Sequence, residues 1–129
     1  LDWARRNLEL NGFRDSSRHE LLQEDVLEWL ESPVRERYDV AFLDPPTLSR
    51  SKRMSQELDV QRDHVELIRS AMRRLTPGGL LIFSTNFRKF RLDGDGLAEL
   101  DIEDVTADTI PKDFARDAKV HHCFELRAS

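Results

Sequence analysis

The tightest constraint on this chain is a pair of prolines behind an unbroken apolar run: Tyr38-Asp39-Val40-Ala41-Phe42-Leu43-Asp44-Pro45-Pro46-Thr47. Val40 to Leu43 show no polar alternation, which predicts a strand buried on both faces. Pro45 has no amide hydrogen and Pro46 restricts the residue before it, so the strand must stop at Asp44. A stiff extended loop follows, its carbonyls free to face a ligand. A carboxylate at the carboxyl end of a strand, ahead of a rigid turn, sits where open α/β sheets bind small molecules. An ordinary strand end with a proline stop would use the same residues, so the rest of the chain has to decide.

Upstream, residues 1–11 have Trp3, Ala4 and Leu8 at helical spacing, and Asn11-Gly12 is a good helix stop. Residues 20–23 (Glu-Leu-Leu-Gln) read as a short strand ending at Glu24-Asp25. Asp25 is a candidate N-cap for a helix through Val26, Leu27, Trp29 and Leu30, with Pro33 beyond its end. Downstream of the proline turn comes a polar loop with Ser49-Arg50-Ser51-Lys52-Arg53, then the longest helix, over residues 58–75. In that helix Val65, Ile68, Ala71, Met72 and Leu75 share a face, while Arg62, Glu66, Arg69, Arg73 and Arg74 face water. Pro77-Gly78-Gly79 is a turn and residues 80–84 a second buried strand. After a loop over 87–96, residues 100–109 and 119–127 alternate well enough to be antiparallel edge strands. Strands alternating with helices predict a largely parallel α/β sheet, whose shared edge collects Asp25, the 44–47 turn and the loop after Ser84.

At 129 residues the chain is one domain at most. No apolar run approaches the roughly 18 residues of a membrane span, and no signal peptide is visible, so a cytoplasmic location is expected. The single Cys123 excludes an internal disulfide framework, and no Cys/His spacing suggests a metal site. His121 and His122 fall on opposite faces of one strand and cannot share a metal. The net charge of −5 argues weakly against bulk nucleic-acid binding. Two local clusters run the other way: Arg50, Lys52 and Arg53 after the first strand of the pair, and Arg88, Lys89 and Arg91, interleaved with Phe87 and Phe90, after the second. Both loops leave the same sheet edge, and phosphate contacts with aromatic stacking are what RNA requires. Solvated loop charge with core phenylalanines is the plainer alternative.

This order of elements resembles the class I S-adenosylmethionine-dependent methyltransferases. The segments Asp44-Pro45-Pro46-Thr47-Leu48-Ser49-Arg50-Ser51-Lys52 and Asp59-Val60-Gln61-Arg62-Asp63-His64, at this distance, resemble a bacterial large-subunit rRNA methyltransferase group. The similarity is greatest to the carboxyl-terminal, N7-guanine-methylating half of the fused enzymes that modify two guanines of 23S rRNA. The resemblance implies a partial Rossmann-like α/β fold, mostly parallel, with a carboxyl-terminal antiparallel strand pair. It implies S-adenosylmethionine as cofactor and 23S rRNA as partner. Asp25 matches the position that contacts the adenine amino group, with Val26 beside the ring. Asp44, Pro45, Pro46 and Thr47 match the turn between cofactor and target base, where orientation carries the catalysis.

Departures from the pattern sharpen the expectation. Thr47 and Leu48 stand where enzymes that alkylate exocyclic amines, such as guanine N2, use an aromatic residue. No cysteine follows residues 83–87, where cytosine C5 enzymes need a nucleophile, and Cys123 reads as a buried structural thiol. Guanine N7 has its own lone pair and needs neither. His64 reads either as an active-site hydrogen bonder or, as a lone polar residue on a helix more often is, as a structural one. Rival readings are a dinucleotide-binding domain and a non-catalytic module. The glycines lie at 12, 78, 79, 94 and 96, so the family's Gly-rich cofactor turn is absent. Residues 1–129 are therefore expected to be the carboxyl-terminal two-thirds of a catalytic domain, inactive alone. The strands not present would lie between residues 20–23 and 38–44, leaving an open edge on the latter through which the fragment could dimerise.

Overall fold

The computed structural model describes residues 1–13, 17–49 and 58–129. The apolar spacing at the start forms helix α1 (Asp2–Leu10), stopped by Gly12 at φ +83°, where a side chain would be strained. α1 buries none of its residues, and Trp3 is 74% exposed. The strand expected at 20–23 does not form; the backbone there carries no regular structure. A strand exists only through a neighbour's ladder, and no described residue offers one. Helix α2 (Val26–Glu31) begins as expected: the Asp25 carboxylate accepts from the amides of Leu27 at 3.0 Å and Glu28 at 3.4 Å.

Strand β1 (Tyr38–Leu43) ends one residue before Asp44. Beyond the prolines, β2 (Leu48–Ser49) pairs antiparallel with β3 (Leu58–Asp59), so residues expected in a polar loop and in a long helix form a two-stranded ladder instead. Helix α3 (Val60–Met72) follows, capped by the Asp59 carboxylate, which accepts from Gln61 N at 2.9 Å and Arg62 N at 3.1 Å. Strand β4 (Leu75–Thr85) swallows the expected Pro77-Gly78-Gly79 turn as an irregularity: two residues of β1 span five of β4 between the pairs Tyr38↔Leu75 and Val40↔Leu80. Gly78 takes φ +79° there, and a Cβ on Gly79 would stand 3.2 Å from the Asp39 carbonyl oxygen. A 3-10 turn (Asp95–Leu97) leads to β5 (Leu100–Asp104), the short α4 (Thr106–Thr109), a second 3-10 turn (Lys112–Phe114) and β6 (His122–Ala128). The alternation expected over 100–109 thus breaks at Asp104, and the last strand starts at His122 rather than Lys119.

The four long strands form one sheet in the order β1-β4-β6-β5; β1 and β4 are parallel, and β6 is antiparallel to both neighbours. One sheet face is closed by α3: Val60, Leu67, Ile68 and Ala71 meet Leu81, Phe83 and Leu126, with Phe90 and Leu97 sealing the end. On the opposite face Val40 and Phe42 stand 58% and 66% exposed. The expectation that β1 is buried on both faces is therefore corrected. An uninterrupted apolar run calls for cover on both faces, and among the described residues β1 is an edge strand with only β4 beside it.

Arg74 corrects a second expectation. It is 5% exposed, not facing water, because α3 has ended at Met72 and the chain is turning into β4. Its guanidinium stacks 4.1 Å over the Trp29 ring and donates to the carbonyls of Trp29 and Ser32, closing the carboxyl end of α2. Arg37 does the same for α3, donating at 2.9 Å to the carbonyls of Arg73 and Leu75. Among the described residues, no helix is long and apolar enough to cross a membrane.

Candidate functional site

Because β1 and β4 run parallel, with the last residue of β1 paired to Phe83 (Leu43↔Phe83) and β4 ending two residues on at Thr85, the 44–47 turn and the loop after Thr85 leave the same sheet edge. Pro45 is buried while Asp44 and Pro46 are exposed, so the turn is anchored by its middle residue and presents its flanks. Among the described residues the Asp44 carboxylate has no hydrogen-bond partner, so its lone pairs are open to a ligand. The turn is tied down on its far side, where the Thr47 carbonyl accepts from Val60 N at 3.1 Å.

Asp44, Pro45 and Pro46 line a cavity of about 380 Å3 together with Val26, the first residue of α2. The first turn of α2 is thereby brought to the proline turn, as expected from the shared sheet edge. Asp25 stands one residue back, half-buried, with its carboxylate bonded to α2 amides. Deeper walls come from Leu30, Leu43, Leu58, Leu67, Ala71 and Arg74. These were not visible as site residues in the sequence, where they register only as core spacing and a helix-end arginine. Nε of Arg74 is buried without a partner among the described residues.

The rim and the floor of this cavity differ in chemistry. The rim offers flat apolar surface (Val26, Pro45, Pro46) beside an open carboxylate, which suits a planar heterocycle with polar edges. The floor is mostly aliphatic, with Arg74 as its one charged group among the lining residues. Among the described residues no group of three or more His, Cys, Asp or Glu is placed to hold a metal.

Of the two basic clusters, Arg50, Lys52 and Arg53 lie outside the described residues. In the other, Arg88, Lys89 and Arg91 are exposed while Phe90 is buried and Phe87 half-buried. The phenylalanines therefore serve the core, with Phe90 packed 5.6 Å from Phe83 between ring centres. Arg88 is held by Asp117 at 2.7 Å, which raises the guanidinium pKa and lowers that of the carboxylate. Lys89 and Arg91 remain as outward cations. None of the three lines the cavity.

The first turn of α3 fastens this loop. Gln61 bonds the Arg91 backbone twice, donating from Nε2 to its carbonyl and accepting from its amide, both at 2.9 Å. His64 Nε2 accepts from Asp93 N at 3.0 Å, and Nδ1 lies 2.9 Å from the Gln61 carbonyl. An accepting Nε2 assigns the proton to Nδ1 and leaves the ring neutral. Of the two readings of His64 the structure supports the structural one, since both ring nitrogens face backbone groups; Gln61 was not singled out in the sequence, although an amide in a helix's first turn is a signal for such a bond. Cys123 is buried in β6, and burial pushes its thiol pKa up, which leaves it a poor nucleophile. His121 bonds Thr109 at 2.8 Å while His122 packs toward Phe90; the two were expected on opposite faces of one strand, but β6 begins at His122 and His121 lies just before it.

No protein-family profile matches the chain. It is 52% identical over 128 residues to the ribosomal RNA large subunit methyltransferase K/L of Allochromatium vinosum, covering 98% of this chain. The corresponding protein of Pseudomonas savastanoi pv. phaseolicola is 56% identical over 128 residues, covering 99%. The chain spans 17% of the length of each of these curated relatives. Among solved structures, one described as a methyltransferase complexed with SAH superposes with a TM-score of 0.75 at 25% identity, over 95% of this chain and 35% of the other. A second, described as a SAM-dependent methyltransferase from Streptococcus mutans, reaches 0.73 at 23% identity, over 95% and 34%. The fold is thereby shown to be a partial Rossmann-like class I methyltransferase fold.

Proposed function

Taking as premise that the chain belongs to the ribosomal RNA large subunit methyltransferase K/L family, as one segment of it, we propose that it forms the cofactor- and RNA-facing part of a domain that methylates 23S rRNA at guanine N7. The observation that carries this reading is the open Asp44 carboxylate on the proline turn, sharing one cavity with the start of α2. S-adenosylmethionine, when bound, supplies an electrophilic methyl group on a sulfonium. Asp25 and Val26 would hold its adenine, and the chemistry of the rim fits: apolar surface for the ring, a helix amino terminus and carboxylates for its polar edge.

Given such a donor, the chain's residues have to orient and exclude water rather than activate. Guanine N7 attacks with its own lone pair, so no base or nucleophile is needed, and the high thiol pKa of Cys123 agrees with a mechanism that does without one. Asp44 and the carbonyls of Pro45 and Pro46 would bond the edges of the base and fix its angle, while Thr47 anchors the turn through its carbonyl. The prolines stiffen that seat before any ligand arrives. Lys89 and Arg91, with Arg88 and the cluster Arg50, Lys52 and Arg53, would contact phosphates.

Residues 1–129 would be the carboxyl-terminal two-thirds of the catalytic domain. The aliphatic floor of the cavity and the open edge of β1 suit apolar side chains and a strand from elsewhere in a longer protein, or from a second copy. Alone, the chain is expected to bind the cofactor weakly and to self-associate along β1. The test is methyl transfer to unmodified large-subunit rRNA by the full-length protein, with the product base mapped. N7-methylguanine should appear, and Asp44→Ala should reduce it roughly 100-fold, the scale of a lost orienting or charge-stabilising contact. Undiminished transfer by Asp44→Ala, or a product at another atom, overturns the reading.

A further inference from the structure

We propose that Gln61 and His64 are positioning residues that lock the basic 87–93 loop to the Asp44-Pro45-Pro46 turn, so that RNA gripped at the loop arrives in register with the methyl donor. This rests on the function proposed above. The two segments leave neighbouring strands and are linked by one short stretch of chain, residues 58–64. At one end of that stretch, β3 pairs with β2 directly behind the proline turn, and Val60 N reaches the Thr47 carbonyl at 3.1 Å. At the other, Gln61 and His64 make three hydrogen bonds to the backbone of Arg91 and Asp93.

The stretch is itself braced. Asp59 caps α3, and Asp63 returns a bond to Asp59 N at 2.9 Å, an arrangement that satisfies amides at both ends of the turn. His64 is 2% exposed and its ring meets Phe90 edge-on at 5.0 Å between centres, so the imidazole is fixed before it accepts the Asp93 amide. Asp93 in turn accepts from Gly96 N at 2.9 Å. Every polar atom of the Gln61 amide used here goes to backbone, and none goes to a catalytic group. The side chains left pointing outward from the fastened loop are Lys89 and Arg91. A loop free to slide would still carry its charges but would deliver the RNA at variable distances from the turn, and small misplacements cost large factors in rate.

The variants are Gln61→Met, which fills the space without the amide, and His64→Phe, which keeps an aromatic ring without an acceptor. His64→Gln restores an acceptor, and Met72→Ala, half-buried on the far part of α3, controls for general loosening. In the full-length protein, peptide-level hydrogen exchange across residues 90–93 should accelerate in Gln61→Met and His64→Phe. Their kcat/KM for rRNA should fall roughly tenfold while the dissociation constant for S-adenosylmethionine stays within about twofold. His64→Gln should recover most of the loss. Unchanged exchange overturns the clamp. Faster exchange with an RNA kcat/KM no worse than that of Met72→Ala overturns the positioning role and leaves the proposed function standing. A wild-type protein that transfers no methyl group to rRNA overturns the function, and the role with it.

Discussion

The two faces of the β1–β4 ladder are built from the same residue types and end in opposite states. On one, Ala41 and Leu43 of β1 join Leu81 and Phe83 of β4 under α3, and Leu81 and Phe83 are fully buried. On the other, Val40 and Phe42 stand beside Leu80 and Ile82 with most of their surface in water. The difference lies in what covers them. The covering helix of the first face, α3, is the segment that connects the two strands, so its proximity is built into the chain. Among the described residues the second face has no such local cover, and α1, the amphipathic helix that could resemble one, buries none of its residues. Burial in this molecule follows connectivity more closely than it follows hydrophobicity.

The sharpest way to break that comparison is to truncate one aromatic from each face. Phe83→Ala should cost about 3–5 kcal/mol in denaturant unfolding, since both transfer energy and a cavity are involved. Phe42→Lys should change stability by less than about 0.5 kcal/mol and lower the self-association seen by sedimentation. Equal losses from the two would mean that the second face is covered after all.

Arg74 sharpens the comparison from between the regions, since it ties the end of α2 to the entry of β4. Arg74→Met keeps most of the volume and leaves carbonyls of α2 without donors, at a cost of roughly 1–3 kcal/mol. The loss should show as faster hydrogen exchange in α2, with the amides of β4 and β6 unaffected. Uniform acceleration would make Arg74 part of the closed core instead.

The smallest effect concerns acid. Arg62 bonds the Asp63 carboxylate at 2.6 Å and holds its pKa below the ordinary 3.8. A depressed folded-state pKa contributes stability that is present above the ordinary value and lost as pH falls through the folded one. The partner arginine is 58% exposed, so screening limits the contribution to under about 0.5 kcal/mol. Asp63→Asn should therefore lower stability at neutrality by no more than that amount and flatten the acid limb, the two profiles converging as pH falls below about 4.

What could be read from the sequence was what is settled locally. The Asp25 cap, the Gly12 stop, the end of β1 and the start of α2 each depend on a few adjacent residues, and all appear where expected. The failures involve distant partners. Residues 20–23 have strand-like composition but no ladder to join. Val40 and Phe42 look like core because a run of apolar residues says nothing about which side is covered. Arg74 continues the arginine spacing of α3 by one residue after the helix has ended. At the candidate site the proline turn was legible from its own stereochemistry. The aliphatic floor beneath it was not, since Leu58, Leu67 and Ala71 reach it from α3 and β3 at positions set by tertiary packing. Gln61 escaped notice for the same reason: its partner is thirty residues away.

The irregularity in β4 has a consequence for how this sequence can change. Because side chains alternate along a strand, removing one residue from 76–79 would turn Leu81, Phe83 and Thr85 out and bring Leu80, Ile82 and Ser84 in. It would also draw the exit of β4 back along β1, away from the level of Asp44. Substitutions at many positions in this ladder are survivable, but a single-residue deletion is a frame error in three dimensions. The length of this segment should therefore drift in steps of two or not at all, and a library that varies it one residue at a time would find its functional members only in alternate lengths.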